Sequence, residues 1–261
     1  MRAHIKPWLF ALANLVGVFV FAWPFIIPEV ASHIDAPWIL GVLMVCLSGL
    51  LFLELDRAGL GPKTVALIAV LGAVMVALRL PGYVAGFSAM FVVVLVAGNS
   101  FGPGFGFLLG AVGTFASALF VGGLGPWLPF QMVAVGWVGA GAGIVPRPPR
   151  WALRIGILAT YGFLAAFLFG AVINLYFWPF VAGSSRIGWD AGAGSLVNLR
   201  HYAAFYAVTS LGWDAVGAVG NVVMVVLLGR PLLGAFDRAA RRMNLEVSSG
   251  TRRPHPAGTV A

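Results

Sequence analysis

Charge is what this sequence has least of. Of its 261 residues only 9% are Asp, Glu, Lys or Arg, against about a quarter in an ordinary soluble domain. So little charge cannot cover a water-facing surface, which excludes a soluble globular enzyme and a disordered chain alike. Cysteine is nearly missing as well. Cys46 stands alone, so an intrachain disulfide and a C-x-x-C redox or metal motif are excluded, and within its apolar run it reads as a small packing residue. His4, His33, His201 and His255 are scattered without metal-ligand spacing, and no metal or cofactor is expected. H-E-x-x-H and the phosphate-binding loop are absent. Asp214 is the one acidic residue well inside an apolar run, so paired carboxylates for acid–base chemistry are lacking. The chain is expected to have no enzymatic activity and to hydrolyse no ATP itself.

What is present is apolar surface: 61% hydrophobic residues and a mean hydropathy of +0.97. This defines an all-α polytopic membrane protein. Apolar runs bounded by charge, Pro or Gly give eight candidate spans: Trp8–Pro28, Pro37–Leu53, Thr64–Leu78, Tyr83–Gly98, Gly104–Val121, Pro129–Val145, Trp151–Phe180 and Tyr202–Gly229. The third and fourth are short for a hydrocarbon core about 30 Å thick, and the fourth is a candidate for a broken, tilted or re-entrant segment. Arg2 and Lys6 precede the first run, as in a signal peptide, but its length and the lack of a small-x-small cleavage site favour an uncleaved span.

With eight spans and the N-terminus inside, Arg2, Lys6, Arg57, Lys63, Arg147, Arg150, Arg154, Arg230, Arg238, Arg241, Arg242, Arg252 and Arg253 fall on the inner side. Only Arg79, Arg186 and Arg200 fall outside, so the positive-inside rule places both termini in the cytoplasm. The net charge of +8 is thereby an orientation signal, and no nucleic-acid partner is expected. Trp8, Trp38, Trp127, Trp151, Trp178 and Trp189 lie near span ends like an aromatic belt. Arg230–Met243 interleaves apolar residues with Arg238, Arg241 and Arg242, as an amphipathic helix on an anionic leaflet would. Asn244–Ala261 reads as a mobile tail.

Two patterns go further. In the third span Ala69, Ala73 and Ala77 recur every four residues, which puts three small side chains on one helical face where another helix can come close. Own-chain packing and a partner subunit both fit such a face. Further on, A-G-N-S-F-G-P-G-F-G-F-L-L-G-A is followed by G-G-L-G-P-W-L-P-F-Q-M and G-W-V-G-A-G-A-G, and later by N-L-Y-F-W-P-F, S-L-G-W-D at Ser210–Asp214 and G-R-P-L-L at Gly229–Leu233. Together these runs resemble the substrate-specificity (S) components of energy-coupling factor (ECF) vitamin transporters.

The resemblance covers about Thr64–Leu233 and implies a six-helix S-component core. It divides the chain into a two-helix extension and linker (1–63), the core (64–233) and a basic amphipathic segment with a cytoplasmic tail (234–261). It implies a substrate-binding subunit in a prokaryotic plasma membrane that takes a vitamin-like small molecule from outside. Cobalamin-type ligands are favoured within the family, riboflavin-like ones next. It also implies docking on a transmembrane coupling subunit with two ATP-binding-cassette ATPases, and Ala69, Ala73 and Ala77 match the spacing of the family's docking face.

An outward pocket for such a ligand should be lined by polar and aromatic residues at outer span ends: Arg79, Tyr83, Trp127, Gln131, Asn174 and Trp178. Tyr202, Tyr206 and Trp213 follow at helical spacing as one stripe on the last span. Each has a plainer reading. Arg79 could snorkel to headgroups, Gln131 could cap its helix, Asn174 could bond another helix, and the Tyr/Trp stripe could be core. Asp214 is expected to have a structural partner such as a hydroxyl, amide or Arg, and Asn99 to be a turn residue. The alternative to an S component is a self-sufficient secondary transporter or channel. A single intramembrane carboxylate and no clear inverted repeat argue against it.

Overall fold

The computed structural model describes residues 7–26, 45, 49, 61–80, 87–121, 123–180, 187–190 and 192–249, with the backbone alone for 7–13, 16 and 243–249. The second expected span, Pro37–Leu53, lies outside the described residues apart from Val45 and Gly49. The described elements are α1 (Pro7–Ile26), α2 (Pro62–Arg79), α3 (Met90–Phe101), α4 (Pro103–Val121), α5 (Leu128–Ile144) and α6 (Trp151–Asn174). A 3-10 turn at Trp178–Phe180, then α7 (Gly194–Thr209) and α8 (Leu211–Ser249), complete the order. The chain is an all-helical polytopic membrane protein. Among the described residues four stretches are long and apolar enough to cross a bilayer: Pro62–Arg79, Pro103–Val121, Trp151–Phe180 and Leu211–Arg242.

The fourth expected span resolves into α3, only 12 residues and so about 18 Å long. It is too short to cross alone, yet every residue from Val92 to Ser100 is buried. A helix apolar on all sides belongs in the middle of a bundle, and α3 meets protein there rather than lipid. It ends because Gly102 adopts φ 102°, a left-handed conformation that favours glycine, and Pro103 starts α4 at once.

The glycine-dense run makes the tightest crossings. A methyl group added at Gly98 or Gly106 would overlap the Gly139 carbonyl, and one added at Gly139 would overlap the Gly106 carbonyl. The backbones of α3, α4 and α5 are therefore in direct contact, as small residues allow in lipid. Gly139→Ala is expected to cost about 1–3 kcal/mol by overpacking, readable as a lowered unfolding temperature in detergent.

The last expected span, Tyr202–Gly229, is in fact two helices. Thr209 Oγ1 donates to the Phe205 carbonyl at 2.8 Å, and Ser210 takes φ −126°, so the helix stops before Leu211. Hydroxyl groups that bond locally compete with helical propagation. Beyond the break α8 runs on for 39 residues, about 58 Å, roughly twice a hydrocarbon core. The basic amphipathic stretch is thus a continuation of the membrane helix, and the boundary drawn at 233/234 falls inside α8. The tail expected from Asn244 is still helical to Ser249.

One end of the bundle is rich in arginine. Asn99 is no turn residue: it is fully buried inside α3 and donates to the Ala142 and Val145 carbonyls, both at 3.2 Å. Arg154 Nε donates to Asn99 Oδ1 at 2.9 Å, and its other two nitrogens grip the Asp237 carboxylate at 2.6 and 3.1 Å. Arg154, one of the charges counted on the inner side, is 7% exposed. In the loop between α5 and α6, burial first and the Arg154 charge second push the Arg147 guanidinium below its ordinary pKa, with Asp237 opposing them.

Candidate functional site

The opposite end gathers the C-terminal ends of α2, α4 and α6 with the N-terminal ends of α5 and α8. α2 ends on Arg79, whose guanidinium turns inward instead of out to headgroups. Nη1 donates to Ser117 Oγ of α4 at 2.5 Å, and Nη2 donates to Gln131 Oε1 of α5 at 3.3 Å. Ser117 in turn donates to the Thr114 carbonyl at 2.8 Å. Two of the expected site residues, Arg79 and Gln131, are therefore joined across three helices, and Gln131 spends its side chain on Arg79. Trp127 opens α5 next to them. Its ring lies against Gly125, and its Nε1 donates to the Gly123 carbonyl at 3.1 Å. Tyr83 lies outside the described residues.

A second polar group forms where α6 meets the α7–α8 break. Asn174 Nδ2 donates to the Gly170 carbonyl at 2.9 Å and to Ser210 Oγ at 2.7 Å. The Tyr206 hydroxyl donates to Asp214 Oδ2 at 2.7 Å, which supplies the hydroxyl partner expected for Asp214. The carboxylate lies directly on Gly170, where any side chain would collide with it. Asn174, Tyr206 and Asp214 thus share one site, held together through Gly170 and Ser210.

Trp178 and Tyr202 are placed differently from the expectation. Trp178 is fully buried, not part of a lipid-facing belt, and its Nε1 donates to the Ile187 carbonyl at 2.9 Å. It sits on the 3-10 turn past the end of α6, which closes at Asn174. Tyr202 is 5.0 Å away, ring to ring, with its hydroxyl on the Ala171 carbonyl. Phe25 of α1 stacks on Trp178 at 5.7 Å and meets Tyr202 edge-on at 6.0 Å. Trp213 is 67% exposed. The expected single stripe fails because Ser210 breaks the helix, so Trp213 belongs to a different helix from Tyr202 and Tyr206.

Sequence reasoning missed Ser117, and it missed the reach of α1 into this region. Trp137 Nε1 donates to Asn14 Oδ1 at 2.6 Å, Trp189 Nε1 to the Pro24 carbonyl at 3.2 Å, and Ser195 Oγ to the Phe25 carbonyl at 2.6 Å. The available signal was Asn14, a polar residue amid an apolar run, which in lipid calls for a partner. A cavity of about 300 Å³ lies between α1, α5 and α6, and none of the nine expected ligand residues lines it.

Ala69, Ala73 and Ala77 lie on the outer side of α2. All three are exposed, while Ile68, Leu71, Gly72 and Met75 bury the opposite side of α2.

Residues 63–229 match the family described as "ECF transporter, substrate-specific component". The match covers more than half of the chain, and the chain belongs to this family. It is the substrate-binding subunit of an ECF transporter, a family of transporter components rather than enzymes, which works with ECF transmembrane and ATPase modules on a small-molecule substrate. Comparison with curated proteins and with solved structures gives no match.

Proposed function

We propose that this subunit captures a vitamin-like micronutrient at the Arg79 end and hands it on through an ECF module docked on α2. The observation that carries the reading is the convergence of Arg79, Ser117 and Gln131 from three helices. A guanidinium held in place by neighbours is preorganised to meet a phosphate, carboxylate or carbonyl oxygen of a ligand. Trp127 and Tyr83, adjacent in sequence to these helix ends, supply aromatic surface for stacking. Asn174, Trp178, Tyr202 and Tyr206 serve as the wall behind, and Trp213, at the start of α8, meets the ligand from the exposed side. A cobalamin-type compound comes first on the G-P-W-L-P-F-Q-M resemblance and a riboflavin-like one second.

The arginine-rich end faces the prokaryotic cytoplasm in this reading, since Arg147, Arg150, Arg238, Arg241 and Arg242 gather there. The Ala69–Ala73–Ala77 face meets the transmembrane coupling subunit, which is accompanied by two ATP-binding-cassette ATPases.

Calorimetric titration of the purified full chain with cobalamin, riboflavin and other vitamins tests the proposal. Saturable binding without ATP is expected for one of them. Arg79→Ala should weaken that binding by about tenfold to a hundredfold, the worth of a hydrogen bond to a charged group. Liposomes holding this chain alone should show no concentrative uptake. Absence of saturable binding across the vitamins, or binding indifferent to Arg79→Ala, overturns the assignment.

A further inference from the structure

The cavity between α1 and the α5–α6 pair has a floor and a mouth of different character. Ala134, Val138 and Ala165 form the floor and are 3%, 6% and 3% exposed. Val18 of α1 and Leu168 of α6 stand at the mouth, 53% and 62% exposed. Leu168 lies near the middle of the 30-residue span Trp151–Phe180, so the mouth opens sideways at the depth of the bilayer hydrocarbon and not toward water.

The wall contains two groups able to donate a hydrogen bond, and both protons are committed. Trp137 Nε1 donates to Asn14 Oδ1 at 2.6 Å, and the Tyr161 hydroxyl donates to the Val138 carbonyl at 2.8 Å. A polar ligand would lose its hydration here and gain no donor in exchange. The volume of about 300 Å³ is many times the roughly 10–15 Å³ that admits a single water-sized group. Its lining is apolar apart from those two committed groups, which suits a hydrocarbon chain.

We propose that this cavity is a lipid site: one acyl chain of a membrane phospholipid enters between Val18 and Leu168 and lies on Ala134, Val138 and Ala165. The wall supplied by α1 lies outside the family-matched residues 63–229, so the site exists only where this N-terminal helix is docked. The chain fills the gap that α1 leaves against the core, and bridges the two.

The test uses the full protein in phosphatidylcholine vesicles containing a phosphatidylcholine with a photoactivatable diazirine on its acyl chain. After irradiation, digestion and mass spectrometry, adducts are expected on the buried floor residues Val138 and Ala165 as well as on Phe120, which is 75% exposed and meets any surrounding lipid. Filling the floor with Ala134→Phe, or more mildly with Ala165→Leu, should abolish the remaining floor adducts and leave those on Phe120 intact. Labelling confined to exposed residues such as Phe120 in the unmodified protein overturns the proposal. So do floor adducts that survive in a folded filled variant.

Discussion

Replacing Arg154 with alanine is expected to cost about 3–5 kcal/mol of stability, the range found when one partner of a buried ion pair is removed. Two groups lose their partner at once. Asp237 loses both guanidinium contacts, and its side chain is only 19% exposed. Asn99 Oδ1, fully buried, loses its donor. The Coulomb attraction lost is less important than the stranded carboxylate, because a charge left in a low-dielectric interior cannot recover its hydration. Arg154→Lys should recover only part of the loss, since an ammonium cannot bridge both carboxylate oxygens and Asn99 in the same plane. The pair Arg154→Met with Asp237→Leu should recover most of it, because no charge is then stranded. Thermal unfolding of the three variants in one detergent checks the order. A single Arg154→Ala variant as stable as the unmodified chain would show that water reaches Asp237 freely.

The same residues show which parts of this fold could be read in the sequence. α2, α4, α5 and α6 begin within about two residues of where the apolar runs place them, because Pro62, Pro103, Pro129 and the Pro-rich stretch before Trp151 mark their starts. The Ala69–Ala73–Ala77 face was legible for a similar reason: it is a local period on one helix. The Arg154–Asp237 pair was not, since its members stand 83 residues apart and neither is unusual in its own neighbourhood. The break at Ser210 was hidden because Tyr202, Tyr206 and Trp213 keep helical spacing across it. What stops the helix is a tertiary bond, Asn174 to Ser210, together with a local hydroxyl bond at Thr209. Among the candidate site residues, Arg79 and Gln131 were each visible as polar residues at span ends. Their meeting depends on how closely α2, α4 and α5 pack, and that distance is set by glycines whose partners lie on other helices.

Introducing a large residue on the exposed alanine face of α2, as in Ala73→Trp, is expected to abolish stable assembly with the ECF transmembrane subunit and leave micronutrient binding unchanged. Helices in lipid associate through close backbone approach rather than hydrophobic drive, so a small-to-large change at the centre of such a face removes the contact itself. A loss of at least about 2 kcal/mol, or roughly thirtyfold in affinity, is the scale for a central interface residue. Ala73 is exposed, so the substitution is directed outward from the described core and the fold should survive it. The matching control is Leu119→Trp on a different helix, α4, at a position 54% exposed, which should leave assembly intact. Affinity purification of each tagged variant from native membranes, with the ECF subunits quantified by mass spectrometry, gives the readout. If Ala73→Trp retains its full complement of coupling subunit and ATPases, α2 is not the docking helix. The partner must then meet another lipid-exposed surface, such as the one bearing Leu119 and Phe120.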